Sequence, residues 1–192
     1  MRELPANRLP LFVTIAGVGF ILDLATKHLI FQRLGFPPRE TIWLIQDVLS
    51  LETSLNEGAL FGMGQGFTFV FAGLSLAAGI WIVYWLFRRG AARDLWLTIA
   101  LASIMAGILG NLFDRLGFHG MTWQFETPNH IIGDRVFAVR DWIHFQYKNF
   151  DWPVFNIADS LLVVGAGMLL RETFRKEQRT DVPAGEPAAT SV

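Results

Sequence analysis

Four windows of about 20 predominantly apolar residues, at roughly 10–31, 67–87, 94–112 and 154–171, constrain this chain more than any other feature in it. About 20 such residues is the length an α-helix needs to cross the hydrocarbon core of a bilayer. In lipid, helices and closed barrels are the structures that satisfy every backbone polar group internally. A chain of 192 residues with four such windows has room for two long connections and little else. Composition agrees, with 52% hydrophobic and only 17% charged residues, where soluble domains carry about a quarter charged. The first window follows Arg2 and Arg8 in the manner of a signal peptide. No small-x-small cleavage site comes after it, however; Asp23, Lys27 and His28 stand there instead, so it is read as a retained helix. The expected fold class is an all-α membrane protein, a four-transmembrane-helix bundle.

Positive charge sets the expected orientation. Arg88, Arg89 and Arg93 crowd the short link between windows two and three, Arg171, Arg175, Lys176 and Arg179 follow window four, and Arg2 and Arg8 precede window one. These belong in the cytoplasm with both termini, so the connections at about 32–66 and 113–153 face outward. From Leu49 to Leu55 polar and apolar residues alternate, a strand signature, and a small extracytoplasmic β-sheet cradle is expected there. Residues 1–171 form a single membrane domain. Residues 172–192, ending in the small- and proline-rich "EQRTDVPAGEPAATSV", read as a cytoplasmic, disordered tail.

Several chemistries are excluded early. There is no cysteine, hence no disulfide, thiolate metal site, cysteine nucleophile or Cys-linked lipid. The four histidines form no HExxH, so no metal or other cofactor is expected. A net charge of −1 with no basic, aromatic-laced cluster gives no reason to expect nucleic acid.

Five short stretches place polar residues at or near the outer ends of the windows. "DLATK" sets Asp23 and Lys27 four apart, on one helical face, either as a plain ion pair or as support for an inner site. "NEGALFG" is a turn leading into a helix, or a place where Gly58 lets backbone approach a ligand while Asn56 offers its amide. "GNLFDRL" contains Gly and Asn suited to ending a helix, followed by Asp114 and Arg115 as interface anchors; four special residues in six is dense for a mere exit. In "VRDWIHF", Asp141 is either a solvated loop aspartate or a carboxyl enclosed by Val139, Trp142, Ile143 and Phe145, which would raise its pKa. In "FNIADS", Asn156 as N-cap places Asp159 at the third helical position, where a reciprocal cap and the helix dipole account for a carboxylate without any function.

Two aspartates bordering one apolar bundle suggest further chemistry. Brought within a few ångströms they share one proton over a wide pH range. The ionised partner then takes a proton from water, and the protonated one polarises a carbonyl and later protonates the leaving nitrogen.

Together these stretches resemble the lipoprotein signal peptidases (signal peptidase II), four-helix aspartyl proteases of the bacterial inner membrane. "DLATK" is similar to the family's D-x-x-T-K and "NEGALFG" to N-x-G-x-x-F. "GNLFDR" matches G-N-x-x-D-R, "VRDW" resembles V-x-D plus an aromatic, and "FNIADS" matches F-N-x-A-D-S. The five occur in order over about residues 10–171. The resemblance implies that Asp141 and Asp159 are the catalytic dyad. It implies that Asn56, Gly58, Asn111, Asp114, Arg115, Asn156 and Ala158 line or brace the site, with Asp23 and Lys27 as a supporting polar pair. The implied partners are membrane lipid, globomycin-type cyclic peptide inhibitors, and prolipoproteins whose cysteine carries a diacylglyceryl group, cut just before that cysteine. A monomer with its site near the periplasmic face is expected. The chain departs from the family pattern in a long insert between Asp114 and Asp141, a lid, a surface contact or an inert loop, with inert as the default reading, and in Leu60, bulkier than the residue common there. Two other classes compete: a small transporter using Asp23 and Lys27, and a non-catalytic protein that binds lipoprotein precursors.

Overall fold

A computed structural model describes residues 8–37, 41–58 and 64–180. Helix α1 (Leu9–Leu34) is followed by strands β1 (Ile42–Ile45) and β2 (Leu49–Asn56). Helix α2 (Thr68–Val83) continues through a π-helical turn at Tyr84–Arg88, and α3 (Leu95–Arg115) returns. Strands β3 (Val139–Tyr147) and β4 (Phe150–Phe155) then lead into α4 (Ile157–Thr180). The four strands make one antiparallel sheet in the order β1-β2-β3-β4. Three helical segments, Leu9–Leu34, Thr68–Arg88 and Leu95–Arg115, are long and apolar enough to cross a membrane.

The helices are apolar toward the outside and carry their polar residues inward. On α1 the buried positions are Phe12, Ala16, Gly19, Asp23, Lys27 and Phe31, a stripe at three- and four-residue spacing. Ile21, Leu22 and Leu29 on its other faces are exposed. Helix α3 packs against α1, α2 and α4 and is the most enclosed of the membrane-length helices. Leu86, Ala102, Leu101, Met105 and Ile108 form the centre of the main apolar cluster with Phe12, Ala16 and Ile82.

Two glycines of α3 itself allow its neighbours close approach. A Cβ on Gly107 would meet the Ala158 carbonyl oxygen and, at 2.6 Å, Leu162 Cγ of α4. A Cβ on Gly110 would meet the Asp23 carboxylate of α1 and stand 3.1 Å from Ala158 Cβ. Sequence reasoning took Gly110–Asn111 as helix-ending; instead α3 continues to Arg115, and Gly110 is the point where three helices converge. Gly110→Ala is expected to destabilise the bundle by about 1–3 kcal/mol through overpacking, measurable as a lowered thermal unfolding midpoint in detergent. An unchanged midpoint would contradict this packing.

Other boundaries also differ from the sequence reading. Residues 154–156, expected in the fourth span, complete β4 and cap α4, which runs on past 171 to Thr180. Helix formers and the Glu172–Arg175 pair at 3.1 Å extend it where a disordered tail was expected; residues 181–192 lie outside the described residues. The strand expected near Leu49–Leu55 is β2. The second outer connection, read as loop, contains β3 and β4. The insert ahead of β3 folds back, burying Trp123, Val136 and Ala138 against Phe36 just past α1. Arg135 closes its base by donating two hydrogen bonds to the Gly117 carbonyl, at 3.0 and 2.8 Å.

Candidate active site

The β3–β4 hairpin brings two distant aspartates to one place. Ile143 of β3 pairs with Phe155 of β4, so the chain emerging from β4 enters α4 beside the start of β3. Asn156 is the N-cap of α4: its Oδ1 accepts from the Asp159 backbone N–H at 2.9 Å, and Asp159 Oδ2 accepts from the Asn156 N–H at 3.2 Å. This is the reciprocal cap expected from "FNIADS". The Asn156 side-chain amide also donates to Asp141 Oδ1 at 2.6 Å and to Asn111 Oδ1 at 3.2 Å. One asparagine therefore contacts both aspartates and α3.

Asp141 is 2% exposed and fully enclosed, so the solvated-loop reading fails. Its second oxygen accepts from Asn56 Nδ2 at 3.2 Å, because β2 pairs with β3 in a register that sets Asn56 opposite Val139 and Ser54 opposite Asp141. Asp159 Oδ1 accepts from Asn111 Nδ2 at 2.8 Å. Burial pushes the Asp141 carboxyl well above the ordinary carboxylate range, and the neighbouring Asp159 carboxylate pushes it further. Both aspartates line one cavity of about 210 Å³ with Asn56, Asn111 and Arg115. Apolar walls come from Phe71 and Leu74 of α2, Phe155 at the end of β4, and Leu162 of α4.

Beneath the cavity lies an ionic network. Lys27 Nζ is 2.7 Å from Asp23 Oδ2 and 3.2 Å from Asp114 Oδ2, and donates to Asn111 Oδ1 at 3.1 Å. Asp23 Oδ1 accepts from the Ala158 backbone N–H at 2.9 Å, tying α1 to the first turn of α4. Asp23, Lys27 and Asp114 are completely buried. Arg115 donates to the Gly58 carbonyl at 3.1 Å and lies in the field of Asp159 and Asp141. Every site residue expected from the sequence thus enters one connected cluster. Of the "NEGALFG" stretch, residues 59–62 lie outside the described residues, Leu60 among them.

Sequence reasoning missed Arg140. Strand geometry turns consecutive side chains to opposite faces, so Asp141 faces the cavity while Arg140 grips Asp114. Arg140 Nη2 and Nε donate to Asp114 Oδ1 at 2.8 and 3.1 Å, and its backbone N–H donates to Oδ2 at 3.0 Å. No motif flagged it, but the alternation from Val139 to Tyr147 was a readable strand signal and would have placed the two residues back to back.

The cluster's charges come close to balancing. Lys27, Arg115 and Arg140 face Asp23, Asp114, Asp141 and Asp159. A surplus of one negative charge is costly where the carboxylates are buried.

The family model described as signal peptidase (SPase) II matches residues 15–175. The lipoprotein signal peptidase of Rhodopirellula baltica is 46% identical over 172 residues, covering 88% of this chain and 74% of that protein. The lipoprotein signal peptidase of Aeromonas hydrophila is 32% identical over 174 residues, 88% of this chain and 90% of that one. Among solved structures, a bacterial membrane enzyme at 24% identity superposes with a TM-score of 0.74 over 93% of this chain and 96% of its own, which shows a shared fold.

Proposed function

The chain belongs to the signal peptidase II family, whose members remove signal peptides from prolipoproteins, and on that premise we propose that Asp141 and Asp159 are its catalytic aspartates. The observation that carries this reading is the Asn156 side chain and backbone bonded to both carboxyl groups at the rim of one cavity. Asp141, whose burial disfavours its charge, holds the shared proton. Asp159 sits where the N-terminus of α4 favours negative charge and acts as base.

The reaction balances as follows. Asp159 takes a proton from water while the oxygen attacks the scissile carbonyl carbon, and Asp141 hydrogen-bonds and protonates the carbonyl oxygen. The tetrahedral gem-diol then collapses as the proton on Asp159 passes to the leaving nitrogen, the C–N bond breaks, and one hydroxyl proton returns to Asp141. No covalent enzyme intermediate and no metal or other cofactor enters these steps.

The substrate is a prolipoprotein with a diacylglyceryl-modified cysteine, cut just before that cysteine. Lipid chains and signal peptide anchored in the bilayer hold the bond at the cavity, so remote binding energy supplies the positioning. All four helices span the bacterial inner membrane, both termini are cytoplasmic, and the cavity opens near the periplasmic face. The positive charge of the α2–α3 link and of the end of α4 supports that orientation. The chain acts as a monomer. Globomycin-type cyclic peptides occupy the same cavity.

The Asp141 shift sets the expected pH dependence. A carboxyl raised in the folded state contributes stability that is complete below its unfolded value and lost as pH rises through the folded one. Activity falls over the same upper range, because the dyad loses its single proton. A pH–rate profile in detergent should show this basic limb, well above the ordinary carboxylate range of about 4. A rate flat through that range up to alkaline pH would count against the shared proton.

A further inference from the structure

The insert between Asp114 and Asp141 has no part in the chemistry above, yet its contacts reach the cavity rim. His130 Nε2 lies 2.6 Å from Glu57 Oε1, with the two side chains 23% and 16% exposed. The His130 ring stacks on Trp123 with centroids 4.1 Å apart and planes at 7°. Trp123 is itself fixed: its backbone N–H donates to the Asp134 carbonyl at 2.8 Å, its backbone carbonyl accepts from the Gly133 N–H at 2.9 Å, and its ring meets Phe36 edge-on at 5.7 Å. His130 therefore stands on a rigid platform built by the insert against the chain just past α1.

Glu57 is the middle residue of Asn56–Glu57–Gly58, and five residues grip that stretch. Asn56 donates to Asp141, Arg115 donates to the Gly58 carbonyl, and Thr68 Oγ1 at the start of α2 donates to the Glu57 carbonyl at 2.8 Å. The fourth is Gln65, whose Oε1 accepts from the Glu57 N–H at 3.2 Å and whose Nε2 donates to Asn56 Oδ1 at 3.4 Å, and the fifth is His130. Asn56 and Glu57 line separate cavities: Asn56 the one holding the aspartates, Glu57 a second of about 550 Å³ that His130 shares. One peptide unit joins the two residues.

We propose that His130 and Glu57 are positioning residues, through which the insert fixes the Asn56 amide on Asp141. This rests on the peptidase reading. The neutral imidazole donates to the carboxylate as the protonated one does, so the grip does not depend on the charge of His130. Loss of the grip shifts a residue that holds a reacting group, and a misplacement of about 1 Å costs up to about 100-fold in rate.

The test compares full-length wild type with His130→Leu, which keeps apolar bulk over Trp123 but no donor, with His130→Gln, which keeps a donor, with Glu57→Gln, and with the His130→Leu/Glu57→Gln double variant. Cleavage of a diacylglyceryl-modified precursor is measured on the monodisperse, folded fraction of each. For His130→Leu, kcat should fall about tenfold with KM changed less than about twofold. His130→Gln should recover most of the loss, and the double variant should be no slower than its slower parent. Unchanged kcat in the folded fraction, or losses that multiply in the double variant, would overturn the proposal. A wild type that cleaves nothing would overturn the peptidase reading itself, whereas an active wild type with silent variants overturns this inference alone.

Discussion

Asp141→Asn and Asp159→Asn are each expected to lower kcat by about three orders of magnitude, within the range that positioned acid–base groups supply, while the bundle still folds. The loss is chemical: an amide at position 159 neither takes the proton from water nor passes it to the leaving nitrogen, and an amide at position 141 neither protonates the carbonyl oxygen nor takes the hydroxyl proton back. A smaller structural cost accompanies it. Both oxygens of Asp141 accept from amide NH2 groups, Asn156 at 2.6 Å and Asn56 at 3.2 Å. An asparagine there brings its own NH2 to one of them, so two donors meet and one amide must turn, at about 1–3 kcal/mol. Asp159 presents the same conflict, since its oxygens accept from Asn111 Nδ2 and from the Asn156 N–H. Single-turnover cleavage beside thermal unfolding in detergent separates the two effects. A variant that retained a tenth of wild-type kcat would remove that aspartate from the proposed dyad.

Lys27→Met is expected to produce the largest loss of stability, about 3–5 kcal/mol, the cost typical of removing one partner from a buried ion pair. Lys27 faces Asp23, Asp114 and Asn111 together, and methionine leaves two fully buried carboxylates short of a cation. Asp114 retains its two-pronged contact with Arg140, whereas Asp23 keeps the Ala158 N–H. Asp23→Asn should therefore be milder: the Ala158 bond can persist and Lys27 still has Asp114. Unfolding midpoints of the two variants and their combination give the coupling directly. Equal, small effects would mean that the network is not what joins α1 to α3 and α4.

The contrast between what was legible in the sequence and what was not follows the range of the interactions. The membrane-length apolar helices and the Asn156–Asp159 cap are local, and hydropathy and a three-residue spacing reveal them. Asp23 and Lys27 are a local i,i+4 pair, and they do meet at 2.7 Å. The cluster itself was reached through motif resemblance, because nothing local says that Asn56, Asp141 and Asn156 converge. That convergence depends on β2–β3 register and on the β3–β4 hairpin. The pairing of Arg140 with Asp114 was hidden for the same reason, since Asp114 lies on another element; strand alternation alone places Arg140 only on the face opposite Asp141. Gly110 was misread because a glycine near the expected end of a window looks like a stop, whereas its meaning here is the Asp23 carboxylate packed against it. A long connection reads as an inert loop by default, whereas this one packs Trp123, Val136 and Ala138 against Phe36, beyond the end of α1.

The most direct test of the central claim is the identity of the product. Purified wild type in liposomes is given a diacylglyceryl-modified prolipoprotein and, separately, the same precursor without lipid, and the products are read by mass spectrometry. The account predicts a mature chain beginning at the lipidated cysteine, formed from the modified precursor and not from the unmodified one, and absent with Asp141→Asn or Asp159→Asn. Cleavage at another bond, equal cleavage without the lipid, or no cleavage by the folded wild type would contradict it.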